Sequence, residues 1–332
     1  MKILVTGSAG FIGFHLAKKL VRQGNEVIGI DNFNNYYSKN LKETRANILE
    51  KEYGILTTNL NLADSSMVKK LFEKSRPDYV IHLGAQAGVR LPFSSYNKYI
   101  ESNINGFFNV ASSTIENNAA GFLYASSSSV YGDISSEILC ESNTNLNPSS
   151  FYGTTKLCNE LMAKSLFNKT LVHSIGLRFF TVYGEYGRPD MAYFKITSDL
   201  LCSTSFNVFG DGSAIRDFTY VDDVAEAIKR LVELCKISNK PIQEVVNVGG
   251  GNPVSLNSMI SIIEENFGKQ LKKNFSSAIQ GDMKKTTACT DKLDSMIGWH
   301  PQTKLQDGLS KFVNWAKLPD ISNKIITDWN GS

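Results

Sequence analysis

The sequence predicts an α/β fold built on a doubly wound parallel sheet, with helices packed on both of its faces. Through the first 180 residues, short apolar segments alternate with longer segments in which apolar residues recur at helical spacing. A glycine-rich turn separates the first apolar segment from the first helical one. Because strands separated by helices run parallel in one sheet, this alternation predicts a sheet that is buried on both faces.

The elements of the first half are expected in a regular order. Strands are predicted at residues 2–5, 26–32, 54–58, 78–83, 122–126 and 172–179, and helices at residues 11–21, 65–74, 96–117 and 150–166. Ligands bind such sheets at the carboxyl ends of the strands. Leu83, a run of four serines at 126–129 and Thr181 all lie at strand ends, so a site is expected there.

The turn after the first strand carries Gly7, Gly10 and Gly13. Glycines at these positions let the backbone turn sharply and approach a pyrophosphate, which the N-terminus of the following helix faces. Asp31 ends the second strand, 18 residues after Gly13, where a carboxylate can accept both hydroxyls of an adenosine ribose. No arginine follows Asp31 to bind a 2′-phosphate, so NAD is favoured over NADP. The alternative is that Asp31 is an ordinary turn residue at a strand end.

Residues after the third and fourth strands are expected to line the same cofactor. Asn61 and Leu62 would flank the adenine, and Ala85 and Gln86 would lie along the dinucleotide. The complete set of expected cofactor contacts is Gly7, Gly10, Phe11, Ile12, Gly13, Asp31, Asn32, Asn35, Asn61, Leu62, Leu83, Ala85, Gln86, Asn103, Tyr152 and Lys156. His82 lies within an apolar strand and is interpreted as a hydrogen-bonded core histidine.

The reactive group is predicted around Tyr152 and Lys156, which follow the serine run. Residues four apart share one face of a helix, so the phenol and the ammonium can point into one pocket. A neighbouring ammonium and a cationic nicotinamide favour the ionised phenol, which makes Tyr152 a usable general base. A tyrosine and a lysine at this spacing also arise by chance in a chain with 13 tyrosines. The serine run and the glycine turn favour the catalytic interpretation.

The composition narrows the class of protein. The chain has 332 residues and a formal net charge of +3, without a basic run of five or more, so neither nucleic acid nor an anionic membrane is implied. The five cysteines are far apart, with no CxxC pair and no histidine at metal-ligand spacing, so reduced thiols and no metal are expected. There is no 18-residue apolar segment and no signal-peptide pattern, and a cytoplasmic location is predicted.

The second half loses the regular alternation. Helices are predicted at 191–202, 221–235, 256–267 and 305–316, and a strand at 245–248. Residues 1–180 are expected to form the NAD-binding Rossmann domain, to which 217–250 return, and 181–318 a smaller C-terminal α/β substrate-binding domain. Residues 319–332 are polar and weakly patterned, and a loose tail is expected.

Taken in order, the glycine turn, Asp31, the serine run and the Tyr152/Lys156 pair resemble the extended short-chain dehydrogenase/reductase superfamily. Within it the chain looks like the UDP-glucuronate 4-epimerases, from Met1 to about Trp315. The more specific motifs lie at 31–37, 41–45, 85–90, 178–184, 187–192 and 216–223.

The resemblance implies roles for several residues. Ser127 and Tyr152 would polarise the sugar O4, and Lys156 would bind the nicotinamide ribose and depress the pKa of the tyrosine. The substrate-binding set would be Arg90, Ser127, Ser128, Ser129, Thr181, Arg188, Arg216 and Asp282, with Arg216 on the diphosphate and Asp282 near the uridine ribose. The chain departs from the family pattern at Leu91-Pro92, Glu185-Tyr186, Asn61 and Gln280.

The expected reaction is 4-epimerisation of a UDP-sugar by a tightly bound NAD⁺, most closely of UDP-glucuronate. Related dehydratases resemble one another in carrying an acidic residue just before a Val-Tyr-Gly motif, which stands at residues 130–132 of this chain. The corresponding positions here are Ser127, Ser128 and Ser129, which supply no proton-transfer group at pH 7. The alternatives are a 4-epimerase of a neutral or N-acetylated UDP-hexose and a non-catalytic NAD-binding protein. The resemblance also implies a homodimer formed through helices 96–117 and 150–166.

Overall fold

The computed structural model describes residues 1–132, 138–251, 253–277 and 285–329. The strands are Lys2–Thr6 (β1), Glu26–Asp31 (β2), Thr57–Asn59 (β3), Tyr79–His82 (β4), Gly121–Ser127 (β5), His173–Phe179 (β6), Thr181–Tyr183 (β7), Ser205–Phe209 (β8), Ile215–Tyr220 (β9), Gln243–Val248 (β10), Pro253–Ser255 (β11) and Lys272–Ser276 (β12). The helices are Phe11–Arg22 (α1), Lys39–Tyr53 (α2), Ser65–Ser75 (α3), Asn97–Tyr99 (α4), Gly106–Glu116 (α5), Phe151–Phe167 (α6), Ala192–Cys202 (α7), Val221–Ile237 (α8), Leu256–Phe267 (α9), Asp291–Ile297 (α10), Leu305–Ala316 (α11) and Pro319–Lys324 (α12).

A seven-stranded parallel sheet in the order β10-β6-β5-β4-β1-β2-β3 forms the centre of the described fold. Its middle strands are buried on both faces, since neighbouring residues of β1 enter different hydrophobic clusters: Ile3 and Val5 one cluster, Leu4 another. Helices α1 and α8 pack together on the first side, while α3 packs on α5 and α5 on α6 on the second. The predicted doubly wound α/β fold is confirmed.

The register of the sheet brings the predicted strand ends to one edge. Thr6 pairs with His82, and Ser127 pairs with Phe179. Because the strands are parallel, the loops that follow them open on the same side of the sheet. This edge carries the glycine turn, the serine run and the start of α6.

The second half of the described chain builds two small sheets, in the orders β11-β9-β7 and β12-β8. A separate hydrophobic cluster forms between them and α7, α9 and α11. The chain also returns to the large sheet, since β10 pairs with β6 and α8 packs against α1. The division into domains near residue 180 stays a prediction.

In the first half of the chain, the structure differs from the sequence prediction in two helical regions. The expected long helix at 96–117 contains a π-helical stretch, Ile100–Asn105, between α4 and α5. Helix α2, which carries the predicted family motif at 41–45, was not expected as an element. Its apolar positions are few, so the helical period is weak, and the charged side chains of Lys42 and Arg45 are buried instead.

The prediction of a loose tail is wrong for residues 319–329. Pro319–Lys324 is helical and Ile325–Trp329 continues as a π-helix, while residues 330–332 lie outside the described part. Ile321, Ile325 and Trp329 are buried in the second-half cluster. Residues 319–329 are ordered because these three apolar side chains pack into that hydrophobic cluster.

No helix in the described ranges is long and apolar enough to cross a membrane.

Candidate active site

A cleft of about 330 Å³ lies at the carboxyl edge of the large sheet. The glycine turn, the loop after β2, the loop after β4, the serine run and the first turns of α6 form its walls. Sequence reasoning placed a ligand site at this edge, and the structure brings those segments together there.

The glycine turn forms the floor of one end of the cleft. Gly7 has a φ of +71°, and a Cβ at that position would lie 2.8 Å from the backbone nitrogen of Gly84. A Cβ on Gly13 would lie 2.1 Å from the carbonyl oxygen of Gly7. Side chains are therefore excluded where the turn meets its neighbours, and α1 begins at Phe11 with its N-terminus at the cleft. This geometry suits a pyrophosphate, which the helix dipole attracts.

Asp31 is buried at the end of β2 and lines the cleft. Its Oδ1 accepts a hydrogen bond from the backbone nitrogen of Phe33 at 2.9 Å. Burial raises the pKa of this carboxyl, while the Phe33 bond and the nearby charge of Lys42 act to lower it. A carboxylate at this position can accept ribose hydroxyls, as the motif predicts.

The structure brings most of the predicted cofactor residues to the cleft. Those that line it are Gly7, Gly10, Phe11, Ile12, Gly13, Asp31, Asn32, Asn61, Leu62, Leu83, Ala85, Tyr152 and Lys156. The structure gives the positions of these residues, and we propose that they bind the cofactor.

Asn35, Gln86 and Asn103 do not line the cleft, so a direct contact with a bound cofactor is not supported for them. Asn103 is buried in the π-helical stretch, where its Oδ1 accepts from the Gln86 backbone nitrogen at 2.8 Å and its Nδ2 donates to Thr155 Oγ1 at 3.0 Å. These bonds tie the loop after β4 to α6. The role that the structure gives Asn103 is to hold the cleft wall from behind.

The first turns of α6 present Tyr152 and Lys156 to the cleft. Ser150 caps the helix, because its hydroxyl accepts from the backbone nitrogen of Gly153 at 3.0 Å. The Lys156 ammonium lies 5.9 Å from the centre of the Tyr152 ring, and the Ser127 hydroxyl is close enough to the phenol to lower its pKa. The three predicted catalytic groups therefore meet at one point of the cleft.

Burial raises the pKa of Tyr152, while the charge of Arg188 and the nearby hydroxyl of Ser127 lower it. Lys156 was expected to depress this pKa, but in the protein alone the cost of burying a phenolate is the larger effect. Lys156 is itself buried, donates to the carbonyl oxygen of Ala125 at 2.8 Å, and has a pKa lowered by burial to about 8. It stays protonated at neutral pH.

The predicted substrate-binding residues divide into three groups. Ser127, Ser128, Ser129, Thr181 and Arg188 line the cleft. Arg90 is exposed, and Arg216 lies on β9 with its Nη1 donating to the Ile215 carbonyl oxygen at 2.9 Å; neither lines the cleft. Asp282 lies outside the described residues.

A buried ion pair supports the serine run from below. Glu160, one turn past Lys156, accepts from Ser126 Oγ at 2.5 Å and from Arg178 Nε at 2.9 Å, and its other oxygen accepts from Arg178 Nη2 at 2.7 Å. The pair links α6 to β6 and to the end of β5. It therefore fixes the strand that carries Ser127 relative to the helix that carries Tyr152.

Other residues near the cleft were not singled out from the sequence. Tyr36 and Lys42 line it, and Lys42 Nζ donates to the backbone oxygen of Asn34 at 2.6 Å. Arg45 is fully buried and donates to the carbonyl oxygens of Ala9 and Tyr186, both at 3.0 Å. The family motifs at 31–37 and 41–45 contain all three side chains, but nothing local in the sequence states their contacts.

His82 behaves as predicted. It is buried, and its Nδ1 lies 2.9 Å from Thr6 Oγ1. Burial lowers its pKa to about 3, so the ring is neutral at physiological pH. In the parts of the chain that the structure describes, no three histidine, cysteine, aspartate or glutamate side chains come together in a way that could hold a metal ion.

The Rossmann-type sheet carries one cleft that contains both a glycine turn suited to a phosphate and the side chains of Ser127, Tyr152 and Lys156. Together these features define an enzyme of the short-chain dehydrogenase/reductase class. Over residues 3–249 the chain matches the NAD dependent epimerase/dehydratase family. This match covers most of the chain, and the protein belongs to that family.

Individual relatives agree with this assignment. Protein CapI of Staphylococcus aureus is 42% identical over 328 residues, covering 95% of this chain and 98% of that protein. The probable UDP-glucuronate 4-epimerase of Rhizobium meliloti is 35% identical over 329 residues, covering 95% and 96%. The crystal structure of UDP-glucuronic acid 4-epimerase from Bacillus cereus in complex with UDP-glucuronic acid and NAD has a TM-score of 0.88 and 33% identity, covering 96% of this chain and 99% of that one.

Proposed function

We propose that the protein is an NAD-dependent 4-epimerase that interconverts UDP-glucuronate and UDP-galacturonate. The observation that carries the proposal is the cleft in which Ser127, Tyr152 and Lys156 meet beside a pyrophosphate-suited turn. Relatives and a structural neighbour that are described as UDP-glucuronate 4-epimerases support this choice of sugar.

The composition of the cleft favours epimerisation over dehydration, because acidic side chains are scarce among the described residues that line it. Among the described residues that line it, Asp31 is the only carboxylate, and it stands at the end of β2, away from the serine run. Ser127, Ser128 and Ser129 offer hydroxyls alone, which can hydrogen-bond a sugar but supply no acid for the loss of water.

Tyr152 is assigned the proton transfer at the sugar O4. Its phenol and the hydroxyl of Ser127 bind that oxygen, and the tyrosine removes the proton and later returns it. Lys156 would hold the nicotinamide ribose and keep a positive charge beside the phenolate. NAD, when bound, would supply both the acceptor and the donor for the C4 hydride, so that hydride can return to the opposite face of the sugar.

The rest of the cleft is assigned to binding. Gly7, Gly10 and Gly13 would accommodate the pyrophosphate and Asp31 the adenosine ribose. Thr181 and the serine run would face the sugar. Arg216 on the sugar-nucleotide diphosphate and Asp282 on the uridine ribose rest on the family resemblance alone, as does the division of the chain into a cofactor domain and a substrate domain.

The test is to incubate purified protein with UDP-glucuronate, without added NAD, and to resolve the products by anion-exchange chromatography. We expect UDP-galacturonate, formed by cofactor that co-purifies with the protein. Parallel reactions with UDP-glucose and UDP-N-acetylglucosamine should be at least tenfold slower. Faster turnover of either neutral sugar would replace the proposal with its closest alternative, and no turnover of any sugar with NAD supplied would contradict it.

We also propose that the protein forms a homodimer through the outer faces of α5 and α6. Apolar side chains on and beside these helices are exposed: Phe93, Ile100, Phe108 and Leu161. Replacing Phe108 and Leu161 by lysine should convert a dimer of about twice the 36.8 kDa chain mass into a monomer in light scattering. A wild-type monomer at micromolar concentration would contradict the dimer.

We further propose a cytoplasmic location, because the five cysteines of the chain are free thiols, as is usual in a reducing compartment.

A further inference from the structure

Arg188 lies at the reacting end of the cleft. It lines the cleft together with Tyr152, and its charge lowers the pKa of the Tyr152 phenol. A guanidinium at this position would attract any negatively charged substituent of a sugar held near Tyr152. How strongly it does so depends on what else balances its charge.

Asp190 supplies that balance. Its carboxylate pairs with Arg188 through two bonds, from Nε at 3.0 Å and from Nη2 at 2.5 Å. The phenol of Tyr36 donates to the same carboxylate at 3.0 Å, and the guanidinium lies 5.7 Å from the centre of the Tyr36 ring. Arg188 and Tyr36 line the cleft, whereas Asp190 lies behind them. The arrangement is a bidentate, partly buried ion pair, which fixes the direction of the guanidinium and is neutral as a unit.

This pairing matters for a sugar that must turn between two hydride transfers. An unbalanced arginine would hold a sugar carboxylate firmly in whichever orientation places the two groups together. Such binding strengthens the ground state and opposes the rotation that epimerisation requires. An arginine already paired with Asp190 leaves the sugar carboxylate to weaker hydroxyl donors, Ser128, Ser129 and Thr181, which line the same cleft.

We propose that Asp190, held by Tyr36, is a positioning residue that restrains the attraction of Arg188 for the sugar carboxylate and so lets the sugar turn. The inference rests on the proposed function, because it assumes a uronic acid substrate. Asp190 acts through Arg188 and touches neither substrate nor cofactor.

The test compares Asp190→Asn with the wild type. UDP-glucuronate is the substrate, and UDP-glucose is the control ligand, with the same nucleotide but an uncharged sugar. The amide keeps the size of the carboxylate but removes its charge. We expect the KM for UDP-glucuronate to fall about tenfold and kcat to fall by a similar factor, while the binding constant of UDP-glucose changes less than twofold. Asp190→Glu, which keeps the charge, should restore kcat toward the wild-type value. Asp211→Asn, the same substitution on an exposed loop, controls for a change in overall charge.

A double variant, Arg188→Gln with Asp190→Asn, removes the pair together and keeps the inference testable if the single variant does not fold. Because the pair is neutral as a unit, its removal should change the KM for UDP-glucuronate less than threefold. A loss of tenfold or more would show that Arg188 is a net carboxylate clamp and overturn the inference, as would equal effects of Asp190→Asn on the charged and neutral ligands.

Calorimetric titration of both ligands separates this inference from the proposed function. If the wild-type protein turned over no uronate, the proposed function would be overturned. The proposed effect of Asp190 on sugar rotation would then be overturned too. A tightening of UDP-glucuronate binding alone in Asp190→Asn would still support the restraint of Arg188, and unchanged binding would overturn it.

Discussion

In the proposed mechanism, Tyr152 must lose its proton in an environment that opposes this. Burial raises the pKa of the phenol, and the favourable effects of Arg188 and Ser127 act against that burial. The charge of Arg188 would therefore stabilise a developing phenolate, which is where the proposed general-base catalysis needs it. Lys156, whose pKa burial lowers to about 8, is mostly protonated at neutral pH and places a positive charge near the ring.

Tyr152→Phe should reduce kcat for UDP-glucuronate by about 10²–10⁴-fold, the usual contribution of a positioned general base. The ring still fills its site, so co-purified NAD should be retained, as measured by absorbance and chromatography of the denatured protein. Tyr53→Phe removes a phenol that contacts Arg22 on the surface, and it should leave kcat unchanged. Activity within threefold of wild type in Tyr152→Phe would contradict the assigned role.

His82 should make the protein less stable as the pH falls. Its pKa is lowered to about 3 in the folded state, against an ordinary value of 6.5, so between these values the unfolded chain binds one more proton. Stability is then complete above pH 6.5 and is lost progressively below it, by about 1.4 kcal/mol at pH 5.5. Urea unfolding of His82→Gln at pH 7.5 and 5.5 should show a smaller pH effect than wild type. The half-exposed His300, replaced by Gln, should show the wild-type pH effect.

The residues that the structure brings to the cleft as predicted are those whose position depends on a short local pattern. Gly7 and Asp31 are fixed by the strand, turn and helix that surround them, and Tyr152 and Lys156 by their spacing on a helix. Arg90 and Arg216 were placed by resemblance alone, and the cleft does not include them. The partner of Arg188 was not predicted, because nothing in the sequence distinguishes an arginine paired with Asp190 from one free to bind substrate.

At the scale of elements, α6, β5 and β6 are joined by the Glu160–Arg178 pair. Both side chains are almost completely buried, at 7% and 4% exposure, so the pair is desolvated and the loss of one partner is costly. Its partners are 18 residues apart and lie on a helix and a strand, which is why the sequence did not reveal it.

Glu160→Gln should destabilise the protein by about 3–5 kcal/mol, because it leaves the Arg178 guanidinium buried without a counter-charge. Adding Arg178→Met removes that charge, and the double variant should be more stable than Glu160→Gln alone. Equilibrium unfolding in urea measures both. A double variant that is less stable by the sum of the single effects would show that the two side chains do not act as a pair.

Apart from α2, the strands and helices of the first half that pack around the large sheet were predicted to within a few residues, because their apolar periods are strong. The π-helical stretch Ile100–Asn105 was not, since its extra residue per turn leaves no mark on the apolar pattern. It lies where Asn103 binds the loop after β4, beside the cleft. Irregular helix at this position is therefore tied to the wall of the site.

At the scale of the whole molecule, the last described residues close the second-half cluster. The indole of Trp329 is buried and stacks on Trp315 at 6.1 Å, and its ring centre lies 6.2 Å from that of Tyr186. Tyr186 belongs to the loop that carries Arg188, and its carbonyl oxygen is held by Arg45. The end of the described chain thus braces a wall of the cleft, which weak apolar patterning did not predict.

Trp329→Ala should lower the free energy of unfolding by about 3–5 kcal/mol, the usual cost of removing a buried tryptophan side chain. A chain that ends at Leu318 should lose at least as much, because Ile321 and Ile325 are buried beside Trp329. Ile326 lies in the same π-helix but is 43% exposed, so Ile326→Ala should cost less than 1 kcal/mol and serves as the matched control. Urea unfolding of the three variants measures these differences, and a shortened chain as stable as the wild type would restore the loose tail that the sequence predicted.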